Sequence, residues 1–199
     1  SDVLAAAKAA LDRKMDVLTV TNTAGSSLTK ISHYTLLTRA SEELAVTATK
    51  SYVAQLAVIF LFSLELASKK KFWTEELTQL RRKLFITPKF MTKTINSIDS
   101  QMRQLANMYS DKNLFFLLGS GPNYATALEG ALKLKEACNI FAEGFANREF
   151  LHGPIQLVDE RTPVLFIVPA NEIDSSFSLM ESLRKFGAPI ISISEKKTK

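Results

Sequence analysis

A single cysteine, Cys138, in 199 residues rules out an internal disulfide and fits a reducing compartment. A cytoplasmic protein is therefore expected, with Cys138 as a buried thiol rather than a nucleophile. The chain has two histidines. His33 has no motif around it and reads as a surface residue. No cluster of Cys, His and acidic residues has metal-ligand spacing, so neither a metal nor a cofactor is expected. Both the dinucleotide fingerprint and the P-loop lysine are missing. The net charge is +5, but the basic residues are scattered. Lys69-Lys70-Lys71 and Lys196-Lys197 are short runs that read as solvated segment ends. Without a basic stripe interleaved with aromatics, nucleic-acid binding is not expected. Asp2, Lys8, Asp12 and Arg13 interrupt any apolar leader segment. The most apolar stretch lies within Thr49–Ala67. It counts roughly 15 residues against the ~20 that span a bilayer, and Gln55, Ser63 and Glu65 punctuate it. It is expected as a helix buried against a sheet or a partner subunit, not as a membrane span.

What is present alternates between helical and strand patterns. Asp2 to Lys14, rich in alanine and leucine, predicts a helix. Val17–Thr21 predicts a strand, and the polar loop Asn22 to Ser27 follows at its C-terminal end, where open parallel sheets hold ligands. Tyr34–Thr38 predicts a second strand. From Ser68 to Asp111, apolar residues at helical spacing predict two amphipathic helices, with Thr87 as N-cap and Pro88 in the first turn of the second. Asn113–Leu118, Thr162–Val168 and Pro189–Ser194 predict three more strands, with a helix over Ser175–Lys185. This order is that of an α/β fold: a three-layer αβα arrangement with a mostly parallel sheet.

The chain is organised around Leu117–Pro154. After the strand comes Gly119-Ser120-Gly121-Pro122, a turn whose backbone N–H groups can face an anion, though its glycines alone specify little. The helical pattern that follows places Glu129, Lys133 and Glu136 at i, i+4 and i+7, on one helix face. That row reads either as a solvated salt-bridge stripe or as a site carboxylate working as an acid/base.

ALEGALKLKE (Ala127–Glu136) with AEGFANREFLHGP (Ala142–Pro154) resembles the second domain of the sugar-isomerase (SIS) family. The form it resembles is that of glucosamine-6-phosphate synthase and of stand-alone phosphosugar isomerases and deaminases. TNTAGSSL (Thr21–Leu28) and ASEELAVTATK (Ala40–Lys50) resemble the later part of the first SIS domain. The resemblance implies three parts: residues 1–68 as the C-terminal part of a first SIS domain, 69–111 as a helical connector, and 112–199 as a second SIS domain. It also implies that Ser1–Leu4 matches the helix just after the family's phosphate loop, so that the first half lacks its opening strands. Lys199 would stop before the tail that closes the site.

The resemblance further implies an aldose–ketose isomerase or deaminase acting on glucosamine 6-phosphate or fructose 6-phosphate. The alternatives are the isomerase domain of glutamine–fructose-6-phosphate aminotransferase and a non-catalytic phosphosugar-binding module. Glu136 matches the proton-transferring glutamate and His152 the ring-opening histidine. Lys133 and Glu129 match neighbouring site groups. Val46 and Ala48 match substrate-binding positions, with Ala48 lacking the serine hydroxyl found there in the synthase. The family's histidine comes across a subunit interface, which implies a homodimer with a shared active site.

Overall fold

The computed structural model describes residues 1–70 and 74–195. Part of the Lys69-Lys70-Lys71 run and all of Lys196-Lys197 lie outside the described residues. The chain divides into two compact units, Ser1–Ile98 and Asp99 onward.

In the first unit, helix α1 (Asp2–Asp12) leads to strand β1 (Leu18–Thr21), short helix α2 (Ser27–Ile31), strand β2 (Tyr34–Leu37) and helix α3 (Lys50–Lys69). β1 and β2 pair in parallel, Leu18 opposite Tyr34 through Thr21 opposite Leu37. The Ser26 hydroxyl accepts from the Thr29 amide and so starts α2. His33 is exposed. Its Nδ1 accepts from the Val17 amide at 3.1 Å, closing the entry to β1.

Two expectations are corrected along the helices that follow β2. The apolar stretch forms a helix of 20 residues, long and apolar enough by length and composition to span a bilayer, so the residue count does not exclude a span. The sheet does not bury it: Leu64 is its one buried residue, while Val53, Leu56, Ile59, Phe60, Phe62 and Leu66 are exposed, which leaves a partner subunit of the two expected covers. The reason is dimensional. Four-residue strands extend about 13 Å, whereas a 20-residue helix is about 30 Å long. The predicted pair of connector helices is likewise one continuous helix, α4 (Thr74–Met108), with Pro88 inside it. Thr87 is not an N-cap; its hydroxyl donates back to the Lys83 carbonyl at 2.9 Å, a bond compatible with the helix interior.

The second unit holds a four-stranded, wholly parallel sheet in the order β4-β3-β5-β6. Its strands are β3 (Leu114–Gly119), β4 (Phe141–Ala146), β5 (Val164–Val168) and β6 (Ile190–Ser194). Helix α5 (Pro122–Cys138) follows β3, and helix α6 (Ile173–Arg184) follows β5. β3 is apolar on both faces. Phe115 and Leu117 join Ala127 and Ala131 of α5, while Phe116 and Leu118 join Leu179, Met180 and Leu183 of α6. Since alternate strand residues point to opposite faces, α5 and α6 lie on opposite sides and the unit has three layers.

β4 is the strand that sequence patterning misses. FAEGFA has no β-branched residue to mark it. Its small residues serve a different end. A Cβ on Gly144 would stand 2.7 Å from the Leu128 nitrogen and 2.8 Å from the Ala127 carbonyl carbon. Ala142 and Gly144 thus let the backbone of α5 lie almost against the strand. Cys138, at the far end of α5, is exposed rather than buried; Asn139 ends the helix there in the left-handed conformation.

Candidate functional site

α5 begins at Pro122 in its first turn and runs back across the sheet from the C-terminal edge of β3. Its small face, Ala127 and Ala131, is committed to the sheet. The face bearing Glu129, Lys133 and Glu136 is thereby left partly open, these side chains being 23%, 23% and 28% exposed. Lys133 Nζ donates to Glu136 Oε2 at 2.8 Å and stands 3.2 Å from Glu129 Oε1. The bond to Glu136, followed by that to Glu129, holds the ammonium above the ordinary lysine range, so it stays charged. The i, i+4, i+7 row is therefore one carboxylate–ammonium–carboxylate array, able to present a fixed cation between two acceptors.

His152 is not part of that array, and among the described residues no bond links the two. It follows the 3₁₀ turn Glu149–Leu151, its amide donating to the Glu149 carbonyl at 3.0 Å. The residue is exposed. That turn is anchored by Phe150, fully buried, its ring 5.0 Å from Phe116 and 5.6 Å from Phe145. Gly153 follows at φ +135°, a conformation open to glycine, and lets the chain reverse into Pro154.

Val46 and Ala48 lie in the first unit, in the loop before α3. Val46 is exposed and Ala48 half-buried. The loop is braced at both ends by residues that sequence reasoning passed over. At its start, Asn22 Oδ1 accepts from the Ala40 amide at 2.7 Å and the Thr38 hydroxyl at 3.0 Å, and its amide donates to the Ser41 carbonyl. These bonds hold Arg39 and Ser41 at φ +52° and +59°, values costly for residues with a Cβ. At its end, Glu43 Oε2 accepts from the Ser51 hydroxyl (2.7 Å), the Ser51 amide (3.1 Å) and the Thr49 amide (3.3 Å). These donors, led by the Ser51 hydroxyl, lower its pKa to about 2. Glu43 therefore caps α3 from six residues away. An acid shortly before an apolar helical run is the signal that could have revealed it. The polar loop after β1 borders a cavity of about 610 Å³ lined by Asn22, Thr23, Ala24, Arg39, Ser41 and Glu42.

A second cavity, of about 540 Å³, opens in the other unit at the C-terminal edge of β3 and β4, with Ser120, Gly121, Asn147 and Arg148 in its wall. Asn147 is buried. Its amide donates to the Ser176 hydroxyl at 3.5 Å, and its Oδ1 has no partner among the described residues. An orphan of that kind costs about 1–3 kcal/mol. Among the described residues no group of three or more His, Cys, Asp or Glu could hold a metal ion.

The SIS domain family matches residues 1–64 and 108–199. The chain belongs to the SIS domain family. It is 39% identical over 198 residues to a glutamine–fructose-6-phosphate aminotransferase (isomerizing) of Thermococcus kodakarensis, covering 98% of this chain and 33% of that protein. A protein of the same name from Methanothermobacter thermautotrophicus is 39% identical over 194 residues, covering 97% and 31%. Among solved structures, the C-terminal domain of glucosamine-fructose-6-phosphate aminotransferase from Francisella tularensis superposes with a TM-score of 0.90 at 29% identity, over 97% of this chain and 55% of that one. Glucosamine-6-phosphate deaminase from Thermotoga maritima gives 0.77 at 25% identity, over 98% and 57%. The chain thus spans about a third of the length of these curated relatives.

Proposed function

We propose that this SIS chain belongs to a phosphosugar isomerase of amino-sugar metabolism, interconverting ketose and aldose forms of a hexose 6-phosphate. The setting we favour is the isomerase part of a glutamine–fructose-6-phosphate aminotransferase, where ammonia from glutamine condenses with the fructose 6-phosphate carbonyl, releasing water, before the proton transfer that gives glucosamine 6-phosphate. What carries this reading is the Glu129–Lys133–Glu136 array in a chain 39% identical, over 98% of its length, to an isomerizing aminotransferase.

In that reaction the Glu136 carboxylate takes a proton from the carbon beside the carbonyl and returns it to the neighbouring carbon. Lys133 holds positive charge against the negative charge that develops between those steps. Glu129 fixes Lys133 from the other side. His152 moves the proton that opens the sugar ring, an imidazole suited to giving and taking one near pH 7. Val46 and Ala48 keep the substrate-binding role that the family pattern gives their positions. Because His152 and Glu136 belong to different ends of the second unit, the reading assigns His152 to the site of a partner copy. That makes the protein a homodimer with shared sites, in the cytoplasm, with the apolar face of α3 covered by protein rather than lipid. Residues 1–68 then form the later part of one SIS domain, 69–111 a connector and 112–199 the second.

The test is Glu136→Gln in the full-length protein, which keeps shape and hydrogen bonding but removes the base. Turnover should fall by roughly 10²–10⁴, with sugar-phosphate affinity within a few-fold. Turnover at the parent rate by a normally folded variant would leave Glu136 as a partner in a surface ion pair and nothing more.

A further inference from the structure

Between β2 and α3 the chain is neither helix nor strand. Asn22 fastens the start of this loop, but its bonds end at Ser41. Beyond that point Glu43 closes a ring. Its Oε2 accepts from the Thr49 amide, the Ser51 amide and the Ser51 hydroxyl. Lys50 closes the same ring from the other side: its Nζ donates to the Glu42 carbonyl at 2.6 Å and stands 3.4 Å from Glu43 Oε1. Residues 44–48, with Val46 and Ala48 among them, are the projecting arc of that ring.

Little else shapes the arc. Leu44 is 87% exposed and Val46 88%, so neither aliphatic side chain is packed, and of the five residues Thr47 and Ala48 alone are half-buried. Among the described residues, residues 44–48 make no hydrogen bond. A segment with so few contacts of its own sits at the low end of local stability and takes its shape from its ends. Its chemistry depends on that shape. Neither Val46 nor Ala48 carries a hydrogen-bonding side chain, so the substrate-binding role given to their positions falls to backbone N–H and C=O groups. A side chain can recover a contact by changing rotamer, whereas a backbone group points where φ and ψ send it.

We propose that Glu43 is a positioning residue for the sugar: by clasping Thr49 and Ser51 it fixes the backbone of residues 44–48 in the form that receives the substrate's hydroxyl groups. The inference rests on the isomerase reading above, from which the binding role of Val46 and Ala48 comes. The oxygens of Glu43 are filled by Thr49, Lys50 and Ser51, so it acts through the loop and not on the sugar. The loop holds substrate and moves no proton. Loosening it therefore removes binding that substrate and transition state share, so KM rises and kcat is kept.

The experiment uses the full-length protein. In the parent, glucosamine 6-phosphate should slow hydrogen–deuterium exchange across residues 44–48. Glu43→Ala should speed exchange there and raise KM for fructose 6-phosphate by roughly tenfold, the scale of one net hydrogen bond. Its kcat should stay within about twofold, as for an ordinary surface substitution. Ser51→Ala, which removes the shortest of the three bonds and leaves both amides, should raise KM by a smaller factor. Glu43→Gln keeps an oxygen for the Thr49 and Ser51 donors. Neutral bonds are about half as strong as charge-assisted ones, so its KM should rise by only about threefold. A merely structural role would lower the folded fraction, which reduces kcat and leaves KM at the parental value; that pattern would overturn the proposal. So would a Glu43→Gln variant as impaired as Glu43→Ala, since the bonds would then not carry the effect. Protection of residues 44–48 in the parent together with parental KM in Glu43→Ala would sink this proposal alone. No protection in the parent would sink the binding role of Val46 and Ala48, and this proposal with it.

Discussion

Replacing Phe150 by alanine should cost more than any change at the charged positions. The side chain is fully buried, and its ring meets Phe116 at 5.0 Å and Phe145 at 5.6 Å, while those two lie 5.9 Å apart. Truncation of such a residue costs about 3–5 kcal/mol from lost transfer energy and the cavity left behind. The Phe116 contact is edge-to-face, and such a pair adds about 0.5–1.5 kcal/mol beyond area, which favours the upper part of that range. A domain has only about 5–15 kcal/mol in total. For a unit near 100 residues the melting temperature should then fall by at least roughly 12 °C, at 4 °C or more per kcal/mol. The assay is thermal unfolding, with hydrogen exchange in β3 and β4 locating the loss in the second unit. Phe150→Leu should recover most of it, because volume is largely kept. There is a functional corollary: the turn before His152 hangs on this one ring, so the alanine variant should lose turnover at temperatures where it is still folded. A melting temperature within about 2 °C of the parent, well under 1 kcal/mol, would refute the idea that this aromatic cluster anchors the turn.

Gly144→Ala should destabilise by about 1–3 kcal/mol or more. The new methyl meets backbone atoms of Ala127 and Leu128, which no rotamer change can relieve; urea unfolding within 0.5 kcal/mol of parent, the range of an ordinary surface change, would count against close helix–strand packing. For Glu43, the folded pKa of about 2 lies below the ordinary 4.5. The cap is therefore fully formed above pH 4.5 and is lost as pH falls from there through about 2. Amide signals of Thr49 and Ser51 should titrate with a midpoint near 2 and stop doing so in Glu43→Gln; a midpoint near 4.5 would show that the cap is not made.

The legible parts of the fold are those written in short-range pattern. β1, β2, β3, β5 and β6 fall within a residue or two of the strands that β-branched and apolar runs predict, because each is packed by its own side chains. β4 escaped because its packing depends on a partner element: Ala142 and Gly144 are small so that α5 can approach, and nothing in FAEGFA announces a helix 15 residues upstream. Pro88 misled for the opposite reason. A local rule for helix starts was applied where the helix continues through the proline, whose surroundings in α4 are largely exposed. Of the two covers expected for α3, a sheet or a partner subunit, the sheet is too small, a property of strand length and number that residue counts do not carry.

The site divides along the same line. Glu129, Lys133 and Glu136 were readable because helical spacing alone brings them together, and the structure places the ammonium within 3.2 Å of both carboxylates. Asn22, Glu43 and Asn147 were not. Each acts on residues 6 to 29 positions away, Asn22 on Ala40, Glu43 on Thr49 and Asn147 beside Ser176. Of the three, Asn22 and Glu43 have every side-chain oxygen satisfied, which marks them as structural braces of the loop that carries Val46 and Ala48. Asn147 alone of the three keeps a buried acceptor without a donor among the described residues. The difference between a completed brace and an incomplete one is thus carried here by hydrogen bonds between distant positions, which sequence patterning does not encode.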